Sequence, residues 1–413
     1  MVYDNNSYIH YFPMGLAYVA SKLRNDGHEV EIYNQDVYHY PESHLEQYLT
    51  ENHFDVVGVG MCAGHYQYEK FKKIREVVRG KAPLWVGGHM FSPASEYFSR
   101  WSEWVCEGEY DYEKDIDNIR LPAWDLFPIE YYSLIRLPHS DNTDRCLPVL
   151  SGRGCPFRCN FCYRLEEGYR ARSVGAICEE IGELIQDYRI SYIDFADELL
   201  MLNPDRTREI AEALKSLNIK WMCNGRLNYA KPDVLKKMKE AGCVFINYGI
   251  EAVDDDVLEK MNKKLTVKQI TEGVEATLNE GISPGLNMIW GNIGDTRKSL
   301  LKAVEFLLKY DDQSQMRTIR PVTPYPGSPL FDYAVEKGMI KDVADFYEKK
   351  HIGSNLLTVN FTNLSDIEYY NNLSSANQIL IENYYQKVGQ NGVKSAQELY
   401  RGKDKNFGGF RQT

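Results

Sequence analysis

Short apolar runs alternate with amphipathic segments along most of the chain, and this alternation predicts a parallel sheet covered by helices. In residues 1–110 the predicted helices are Met14–Asn25, Ser43–Glu51, Tyr66–Val78 and Ser92–Phe98. The predicted strands between them are Glu29–Tyr33, Val56–Met61, Leu84–His89 and Trp104–Glu109. Ligands of such sheets bind beyond the carboxyl ends of the strands, where glycine lets a ligand approach the backbone. The glycine-bearing strand ends are Gly58–Ala63, Gly87–His89 and Gly108.

A second series of alternating strands and helices occupies residues 122–330. Its predicted strands are Leu147–Leu150, Tyr192–Ala196, Lys220–Asn224, Val244–Gly249, Pro284–Ile289 and Met316–Val322. The predicted helices between them are Val174–Tyr188, Asp205–Leu217, Pro232–Ala241, Thr266–Glu280 and Lys298–Leu308. This pattern indicates a partial (β/α)6 TIM-like barrel, an incomplete form of the eight-stranded barrel. In such barrels the catalytic groups lie at the C-terminal mouth.

The predicted fold class is therefore α/β, with a Rossmann-like sheet domain at 1–120, a linker at 121–144 and the partial barrel at 145–330. Residues 331–413 form a small helical region rich in Tyr, Asn and Lys, with predicted helices at Asn371–Tyr385 and Val393–Tyr400. Tyrosine presents an apolar body and a polar tip. This region is expected either to cover the barrel mouth and exclude water or to be a packing appendage.

Composition narrows the class of protein. The chain has 413 residues and a net charge of −11, so a nucleic-acid partner is not expected, because phosphate binding requires a basic face. Nine cysteines without a regular framework argue against a secreted disulfide scaffold. Neither a signal peptide nor an apolar run long enough to span a membrane is evident. These features predict a soluble, cytoplasmic protein without a membrane span.

Three cysteines at C-x3-C-x2-C spacing, Cys155, Cys159 and Cys162, are the strongest chemical signal. They follow Ser151-Gly-Arg-Gly154, directly after the first predicted barrel strand. Iron–sulfur clusters are held by cysteine thiolates, four of them when the cluster only transfers electrons. Three ligands leave one iron open to a small molecule. Tetrahedral structural zinc prefers four protein ligands, and the other cysteines are scattered singly, so a zinc site is the weaker alternative.

The segment Cys155-Pro-Phe-Arg-Cys159-Asn-Phe-Cys162-Tyr resembles the signature of the radical S-adenosylmethionine (SAM) superfamily, with an aromatic residue before the third cysteine. The resemblance implies a [4Fe-4S] cluster whose open iron chelates the methionine part of SAM. Reductive cleavage of SAM then gives a 5′-deoxyadenosyl radical that abstracts hydrogen from a substrate. In such enzymes the cofactor carries the difficult chemistry, while the protein binds, orients and excludes water.

The same resemblance implies which residues contact SAM. Asp197 and Glu198 stand where the family binds the SAM ammonium, Arg226 where it pairs with the carboxylate, and Glu251 where it accepts from the ribose hydroxyls. An N-cap is the structural alternative for Asp197. The stretch Asn287–Gly294 matches the Gly-rich adenine motif, except that Asn292-Ile293 replaces Leu-Pro. The full set of expected SAM contacts is Phe161, Tyr163, Ala196, Asp197, Glu198, Arg226, Glu251, Asn287 and Gly291.

The N-terminal segments Met14-Gly-Leu-Ala, Gly87-Gly-His89 and Glu107-Gly-Glu109 resemble the cobalamin-binding domain that precedes many radical SAM barrels. No D-x-H-x-x-G motif occurs, and this subgroup has members without one. Only Val2 and Tyr3 stand for the usual opening strand, and the usual following segment is shortened to Tyr110–Leu121. A Rossmann-like lid without cofactor is the alternative. The cobalamin contacts implied by the resemblance are Gly15, Gly60, Gly87, Gly88, His89 and Gly108.

These resemblances imply a cobalamin-dependent radical SAM methyltransferase that acts on an unactivated carbon or phosphorus centre of a small molecule. Radical cyclisation, rearrangement or C–C coupling without methyl transfer is the alternative within the superfamily. An iron–sulfur redox sensor or electron carrier is the alternative of another class. A reducing partner such as flavodoxin or ferredoxin and an anaerobic setting are implied by the superfamily. No general acid or base stands out in the sequence.

Overall fold

The computed structural model describes residues 11–402, and its N-terminal part is a parallel sheet of three described strands packed against helices. The strands are β1 (Val57–Gly60), β2 (Leu84–Gly87) and β3 (Trp104–Val105), in the order β1-β2-β3. The helices are α1 (Met14–Asn25), α2 (Gln35–Tyr38), α3 (Glu42–Glu51), α4 (His65–Val78) and α5 (Ser95–Phe98). All three strands end at one edge, as a parallel sheet requires.

One strand predicted for this part is absent, and a second lies outside the described residues. The strand predicted at Glu29–Tyr33 is wrong, because only Asn34 beyond it makes an isolated bridge. Ile32 and Tyr33 are half-buried, so apolar alternation correctly indicated a segment packed on the core but could not supply a neighbouring strand. The proposed opening strand at Val2 and Tyr3 lies outside the described residues.

The barrel prediction is confirmed. Its six strands are all parallel and lie in the order β11-β10-β9-β8-β7-β4. They are β4 (Cys146–Val149), β7 (Tyr192–Phe195), β8 (Lys220–Gly225), β9 (Cys243–Glu251), β10 (Ser283–Trp290) and β11 (Arg320–Pro321). A small antiparallel hairpin, β5 (Gly152–Arg153) with β6 (Arg170–Ala171), brackets the cysteine loop. The barrel is therefore open, with β4 and β11 at its two edges.

Helices cover the outer face of this sheet. They are α7 (Val174–Tyr188), α8 (Pro204–Leu214), α9 (Pro232–Glu240), α10 (Asp255–Lys260), α11 (Val267–Asn279) and α12 (Arg297–Tyr310), and a short α6 (Ile129–Tyr132) precedes the barrel. Side-chain caps define several starts, because Ser173 accepts from the Ala176 N–H and Thr266 forms a capping box with Gln269. Short 3₁₀ turns lie at Ser92–Ala94, Ile116–Asn118, Trp124–Leu126, Leu200–Leu202, Lys215–Leu217 and Leu227–Tyr229.

The C-terminal region differs from its prediction. It contains α13 (Pro329–Glu336), α14 (Val343–Asp345), a π turn at Phe346–Lys350 and one long helix, α15 (Asp366–Gly402). The two helices predicted at Asn371–Tyr385 and Val393–Tyr400 are one helix, because Gly389 and Gly392 do not interrupt it. A single glycine weakens a helix by only about 1 kcal/mol.

Helix α15 packs on the barrel, beginning at the carboxyl end of β10. Tyr369 stacks on Trp290 with 4.4 Å between ring centroids and donates its hydroxyl to the Trp290 carbonyl. The Asn377 amide accepts from the Ile319 N–H and donates to the Ile319 carbonyl, and so pairs with the backbone leading into the edge strand β11. These contacts fit the packing alternative for α15, and the expectation that this region covers the barrel mouth stays a prediction.

Two hydrophobic cores divide the molecule. The larger fills the space between the barrel sheet and its helices, and α15 joins it through Tyr369, Leu373, Ala376 and Leu380. The smaller lies beneath the N-terminal sheet, and the chain returns to it after the barrel. Its returning members are Phe331, Ala334, Ile340, Phe346, Tyr347 and Val359. No helix among residues 11–402 is long and apolar enough to cross a membrane.

Candidate active site at the barrel mouth

The cysteine loop follows β4 and is shaped by Gly154. This residue has φ +87°, and a Cβ there would lie 2.5 Å from the Gly168 carbonyl oxygen, so only glycine fits. The Gly154 N–H donates to Glu198 Oε2 at 2.9 Å, which ties the start of the loop to the end of β7. Cys159 is buried, Cys155 is half-buried and Cys162 is exposed. The three cysteines of the loop therefore differ in solvent exposure at the barrel mouth.

The three thiols influence one another. The Cys162 thiol is desolvated by the surrounding loop although the residue as a whole is exposed, and this desolvation raises its pKa to about 11. The neighbouring Cys159 and Cys155 add to this rise, whereas Arg164 and Lys263 oppose it. No three His, Cys, Asp or Glu side chains between residues 11 and 402 converge on one metal ion. The donor chemistry, three thiols beside two cations, fits a cluster bound by thiolates. Cys155, Cys159 and Cys162 would be its ligands.

A pair of asparagine side chains anchors the cysteine loop to the segment after β10. Asn160 and Asn292 exchange two hydrogen bonds, of 3.0 and 2.9 Å, between the loop and the segment after β10. The Asn160 N–H also donates to the Met261 carbonyl, and its own carbonyl accepts from the Leu330 N–H. Sequence reasoning noted Asn292 only as a departure from the usual Leu-Pro. Asn160, which lies between Cys159 and Cys162, was the sequence signal that could have indicated a hydrogen-bond partner for Asn292.

The acidic pair after β7 has divided roles. Asp197 is fully buried and accepts from the Ser151 N–H at 2.6 Å and the Ser151 hydroxyl at 2.5 Å. Burial raises the pKa of Asp197 to about 6. Its carboxylate therefore holds the end of β4 instead of facing the mouth. Glu198 and Ala196 are exposed at the mouth, and Glu198 contacts the cysteine loop through Gly154.

Arg226 lies directly against the cysteine loop. Its guanidinium is 3.8 Å from the Phe157 ring centroid and donates to the carbonyls of Lys263 and Lys264. Its Nε is buried without a hydrogen-bond partner. Burial lowers the pKa of Arg226, and the thiols of Cys159 and Cys155 oppose that change. A buried, unpaired donor next to the cluster loop fits a carboxylate ligand, because guanidinium suits carboxylate geometry.

Glu251 forms an ion pair that the sequence did not indicate. Its Oε1 lies 3.1 Å from Lys263 Nζ, and both side chains are almost buried. Glu251 has φ +71°, a strained conformation for a non-glycine residue, of the kind that clusters at functional sites. A Cβ on Gly249 would lie 2.4 Å from Glu251 Oε1, so Gly249 makes room for this carboxylate. Lys263 Nζ is also 5.7 Å from the Phe161 ring, which is half-buried beside the thiols.

The two residues predicted to contact adenine, Asn287 and Gly291, differ in how closely other side chains pack on them. Asn287 is exposed inside the barrel and donates its amide to Asn247 Oδ1 at 2.7 Å. Gly291 has φ +98°, and a Cβ there would lie 2.5 Å from the Tyr369 hydroxyl. Gly291 is thus already in contact with helix α15. Asn287 remains open to a ligand.

The glycine edge of the N-terminal sheet comprises Gly60, Gly87, Gly88 and Gly108. A Cβ would meet Leu16 at Gly60, Cys106 at Gly87 and the Met61 carbonyl at Gly88. Gly88 (φ +94°) and Gly108 (φ +77°) also need the left-handed conformation that glycine favours. Gly15, on α1, has open space around its Cα. Open backbone at Gly15 and the glycine-lined strand ends fit a large ligand laid along this edge.

This edge directly contacts the cysteine loop. His89 packs edge-on against Tyr163, with ring centroids 6.1 Å apart, and the Tyr163 hydroxyl donates to Ser92 Oγ at 3.1 Å. Burial lowers the pKa of His89, and the nearby Glu198 opposes that effect. Tyr163, expected from the sequence to contact SAM, therefore joins the two domains. The two predicted cofactor regions face each other across this contact.

An ion network supports the same interface. Arg153, on β5, donates to Asp111 through both terminal nitrogens at 2.8 Å and to Glu109 at 2.9 Å. Arg170, on β6, donates to the same Glu109 oxygen at 2.7 Å. The side chains are 8–15% exposed, so these pairs are shielded from solvent. Glu109, in the Glu107-Gly-Glu109 motif, thus fastens the sheet domain to the hairpin around the cysteine loop.

Comparisons with known proteins agree with this arrangement. A profile of the Radical SAM superfamily matches residues 149–307, and a profile of the B12 binding domain matches residues 2–113. The chain therefore contains a radical SAM domain preceded by a B12-binding domain. The radical SAM domain implies a [4Fe-4S] cluster and SAM, and the B12-binding domain implies cobalamin.

Individual relatives are distant. An uncharacterized methyltransferase of Pyrococcus horikoshii is 26% identical, over 79% of this chain and 79% of its own length. The anaerobic magnesium-protoporphyrin IX monomethyl ester cyclase of Cereibacter sphaeroides is 29% identical, over 64% of this chain but only 41% of its own length. The radical SAM methyltransferase TsrM of Kitasatospora setae, solved with cobalamin and a [4Fe-4S] cluster, superposes with a TM-score of 0.64 at 16% identity. That match covers 81% of this chain and 76% of TsrM.

Proposed function

We propose that the protein is a cobalamin-dependent radical SAM methyltransferase that methylates an unactivated carbon or phosphorus centre of a small molecule. The observation that carries this proposal is the direct contact between the cysteine loop and the glycine edge, made by Tyr163 with His89 and Ser92. A radical source on one side and a methyl donor on the other would then face the same space.

When bound, the cluster and SAM supply a 5′-deoxyadenosyl radical, and methylcobalamin supplies the methyl group. The chain contributes binding and orientation. Cys155, Cys159 and Cys162 would hold the cluster. Arg226 offers its unpaired Nε to the SAM carboxylate, and Glu198 is exposed on the same rim for the ammonium.

Other residues at the mouth act through these groups. Asp197 positions Ser151 at the start of the loop, and Asn292 fixes the loop through Asn160. Glu251 would reach a ribose only by sharing its carboxylate with Lys263, which holds one oxygen. Phe161 and the Phe157 ring would shield the site from water, since both lie beside the thiols.

The setting of the reaction is part of the proposal. Reductive cleavage of SAM requires a one-electron donor, for which a flavodoxin or ferredoxin is suited. An anaerobic cytoplasm would supply this partner and protect the cluster from oxidation. Both statements follow from the chemistry of the superfamily.

Anaerobic reconstitution tests the proposal. Protein purified from cobalamin-fed cells is loaded with iron and sulfide, then given SAM and dithionite. We expect corrin absorbance in the purified protein and formation of 5′-deoxyadenosine. With deuterated-methyl SAM, the label should appear in the bound corrin.

The possible outcomes separate the alternatives. If no 5′-deoxyadenosine forms with any reductant, an iron–sulfur redox sensor or electron carrier becomes the better assignment. If the nucleoside forms but neither corrin nor label is retained, radical cyclisation or rearrangement is favoured. The similarity to a magnesium-protoporphyrin cyclase is the specific observation behind this second candidate.

A further inference from the structure

A row of amide side chains crosses the inner face of the barrel. Asn224 on β8, Asn247 on β9 and Asn287 on β10 are joined by two hydrogen bonds, Asn247 Nδ2 to Asn224 Oδ1 at 2.9 Å and Asn287 Nδ2 to Asn247 Oδ1 at 2.7 Å. A Cβ on Gly285 would lie 2.5 Å from Asn247 Oδ1, so glycine there makes room for the row. None of these contacts involves the cysteine loop.

The direction of this amide row is fixed at one end. Asn224 Nδ2 donates to the main-chain carbonyl of Asp197 at 2.7 Å, and a carbonyl can only accept. Asn224 must therefore turn its oxygen toward Asn247, which must turn its own oxygen toward Asn287. Asn287 Oδ1 is left as the terminal acceptor, and it faces open space because Asn287 is exposed. Aligned hydrogen bonds polarise one another, which strengthens this acceptor.

An unpaired cation continues the row at the barrel edge. Arg320 on β11 pairs in register with Ile289, which lies two residues beyond Asn287 on β10, so both face the barrel interior. Arg320 is exposed, and its guanidinium makes no hydrogen bond or ion pair within residues 11–402. It lies close enough to Tyr325 to oppose the rise in the pKa of that hydroxyl caused by burial. Its guanidinium is therefore available to an anion.

An unpaired acid lies at the other side. Asp194 on β7 alternates with the outward-facing Ile193 and Phe195 and is in register with Met222, two residues below Asn224. Its carboxylate has no hydrogen bond or ion pair in the described part of the chain. Burial, together with the charge of Asp197, raises its pKa to about 6. It is still largely ionised at neutral pH and favours a donor or a cation.

These groups disfavour an apolar ligand. Covering a polar group with a surface that cannot hydrogen-bond to it is unfavourable, because the group loses its bonds to water and gains none in return. A ligand that donates to the amide row and brings an anion to Arg320 avoids that cost. An acceptor-only ligand would meet Asn287 Oδ1 unfavourably.

We propose that the interior row of Asp194, Asn224, Asn247, Asn287 and Arg320 binds the substrate, and that this substrate carries a hydrogen-bond donor (hydroxyl or amine) and an anionic group (carboxylate or phosphonate). The inference deepens the proposed function, on which it rests for the barrel mouth as the place where substrate binds. It assigns Asn287 to the substrate instead of the adenine contact expected from the sequence. It excludes a purely hydrocarbon substrate.

Three small probes test this selectivity on the full-length, cluster-loaded protein with SAM bound. They are 2-hydroxyethylphosphonate, which has a donor and an anion, ethylphosphonate, which lacks the donor, and 1,3-propanediol, which lacks the anion. Anaerobic titration calorimetry should show that the first binds about tenfold more tightly than either of the others. Glycine and propionate give the same comparison for an amine with a carboxylate.

Two variants assign the selectivity to the row. Arg320→Met should lower the affinity for 2-hydroxyethylphosphonate about tenfold, whereas the exposed control Arg100→Met should leave it unchanged. Asn247→Leu interrupts the row and should remove the preference for 2-hydroxyethylphosphonate over ethylphosphonate. Circular dichroism and iron content report whether this variant folds. If it does not, Arg320→Met decides alone, because its exposed position makes misfolding unexpected.

The outcomes are distinct from those of the proposed function. Equal binding of all probes, or affinities that neither variant changes, would overturn the inference even when SAM is cleaved normally. Selective binding by a protein that forms no 5′-deoxyadenosine would instead refute the proposed function and leave the binding row intact.

Discussion

The cysteine loop and the glycine edge of the N-terminal sheet face each other but are built by opposite means. The loop is fixed by side chains, through the paired amides of Asn160 and Asn292 and through Arg164, which donates to the Cys155 carbonyl at 2.9 Å. The edge is defined by missing side chains, with Gly88 held in a left-handed conformation against the Met61 carbonyl. Each hydrogen-bonding side chain of the cysteine loop can therefore be substituted separately. At the glycine edge, a larger residue is tolerated only where the space around the backbone is open.

The largest expected effect is the loss of a cluster ligand from the loop. Cys159→Ala should abolish both cluster binding and SAM cleavage, since two thiolates cannot hold the cluster that three would. Iron content and 5′-deoxyadenosine are the measurements. Cys178→Ala, a half-buried cysteine on α7, is the matched control and should retain both. Cleavage by the Cys159 variant would contradict the ligand assignment.

The second prediction tests the contact between the two regions. Arg153→Met leaves the buried Asp111 without its bidentate partner and should lower the free energy of unfolding by about 3–5 kcal/mol. Arg158→Met removes an exposed pair with Glu167 and should cost less than about 1 kcal/mol. Urea unfolding measures both. Equal losses would mean that the ion network does not fasten the domains.

A pair of glycine variants sharpens the account of the edge. Gly88→Ala should destabilise the protein by about 1–3 kcal/mol, because alanine is strained at φ +94° and meets the Met61 carbonyl. Gly15→Ala should stabilise it by about 0.5–1 kcal/mol, because Gly15 lies in helix α1 with open space around it. Thermal unfolding gives both values.

Corrin retention adds a second readout to this glycine pair. If Gly15→Ala raises stability yet lowers corrin content, the open space at Gly15 is used by the ligand. If corrin content is unchanged, the predicted contact at Gly15 is wrong while the stability argument stands.

The last effect concerns the pH dependence of stability. Asp194 has its pKa raised to about 6 in the folded protein, so between about pH 4 and 6 the folded state binds a proton that the unfolded state has released. The free energy of unfolding should therefore fall as pH rises through this window, by about 1–2 kcal/mol from this group. Asp194→Asn should flatten that decrease in urea titrations at several pH values. An unchanged slope would show that Asp194 is not desolvated.

Much of the fold followed from local patterns. Helices Met14–Asn25 and Val174–Tyr188 have the predicted bounds, because amphipathic periodicity and flanking residues specify them locally. The strand at Glu29–Tyr33 failed because alternation indicates an extended chain but not a partner. The last barrel strand shortened from Met316–Val322 to Arg320–Pro321, because an edge strand pairs on one side only.

The site was predictable to a different degree. Cysteine spacing located the loop, because its three residues are close in sequence. Lys263 beside Glu251 and Asn247 between Asn224 and Asn287 were missed, because such neighbours are distant along the chain and meet only when strands take their register. Tyr163 was assigned to SAM by position, and its contact with Ser92 depends on how the domains dock.

The return of the chain to the N-terminal core has a consequence for how such proteins can be rearranged. Phe346 and Tyr347 lie within that core, and Tyr347 stacks on Tyr68 of helix α4 at 4.9 Å. If the gene were divided once, directly after the sheet domain, that domain would lose the segment after the barrel and would expose part of its hydrophobic core to solvent. Recombination between relatives would have to exchange both ends together, so the sheet module and the segment after the barrel should be inherited as one unit.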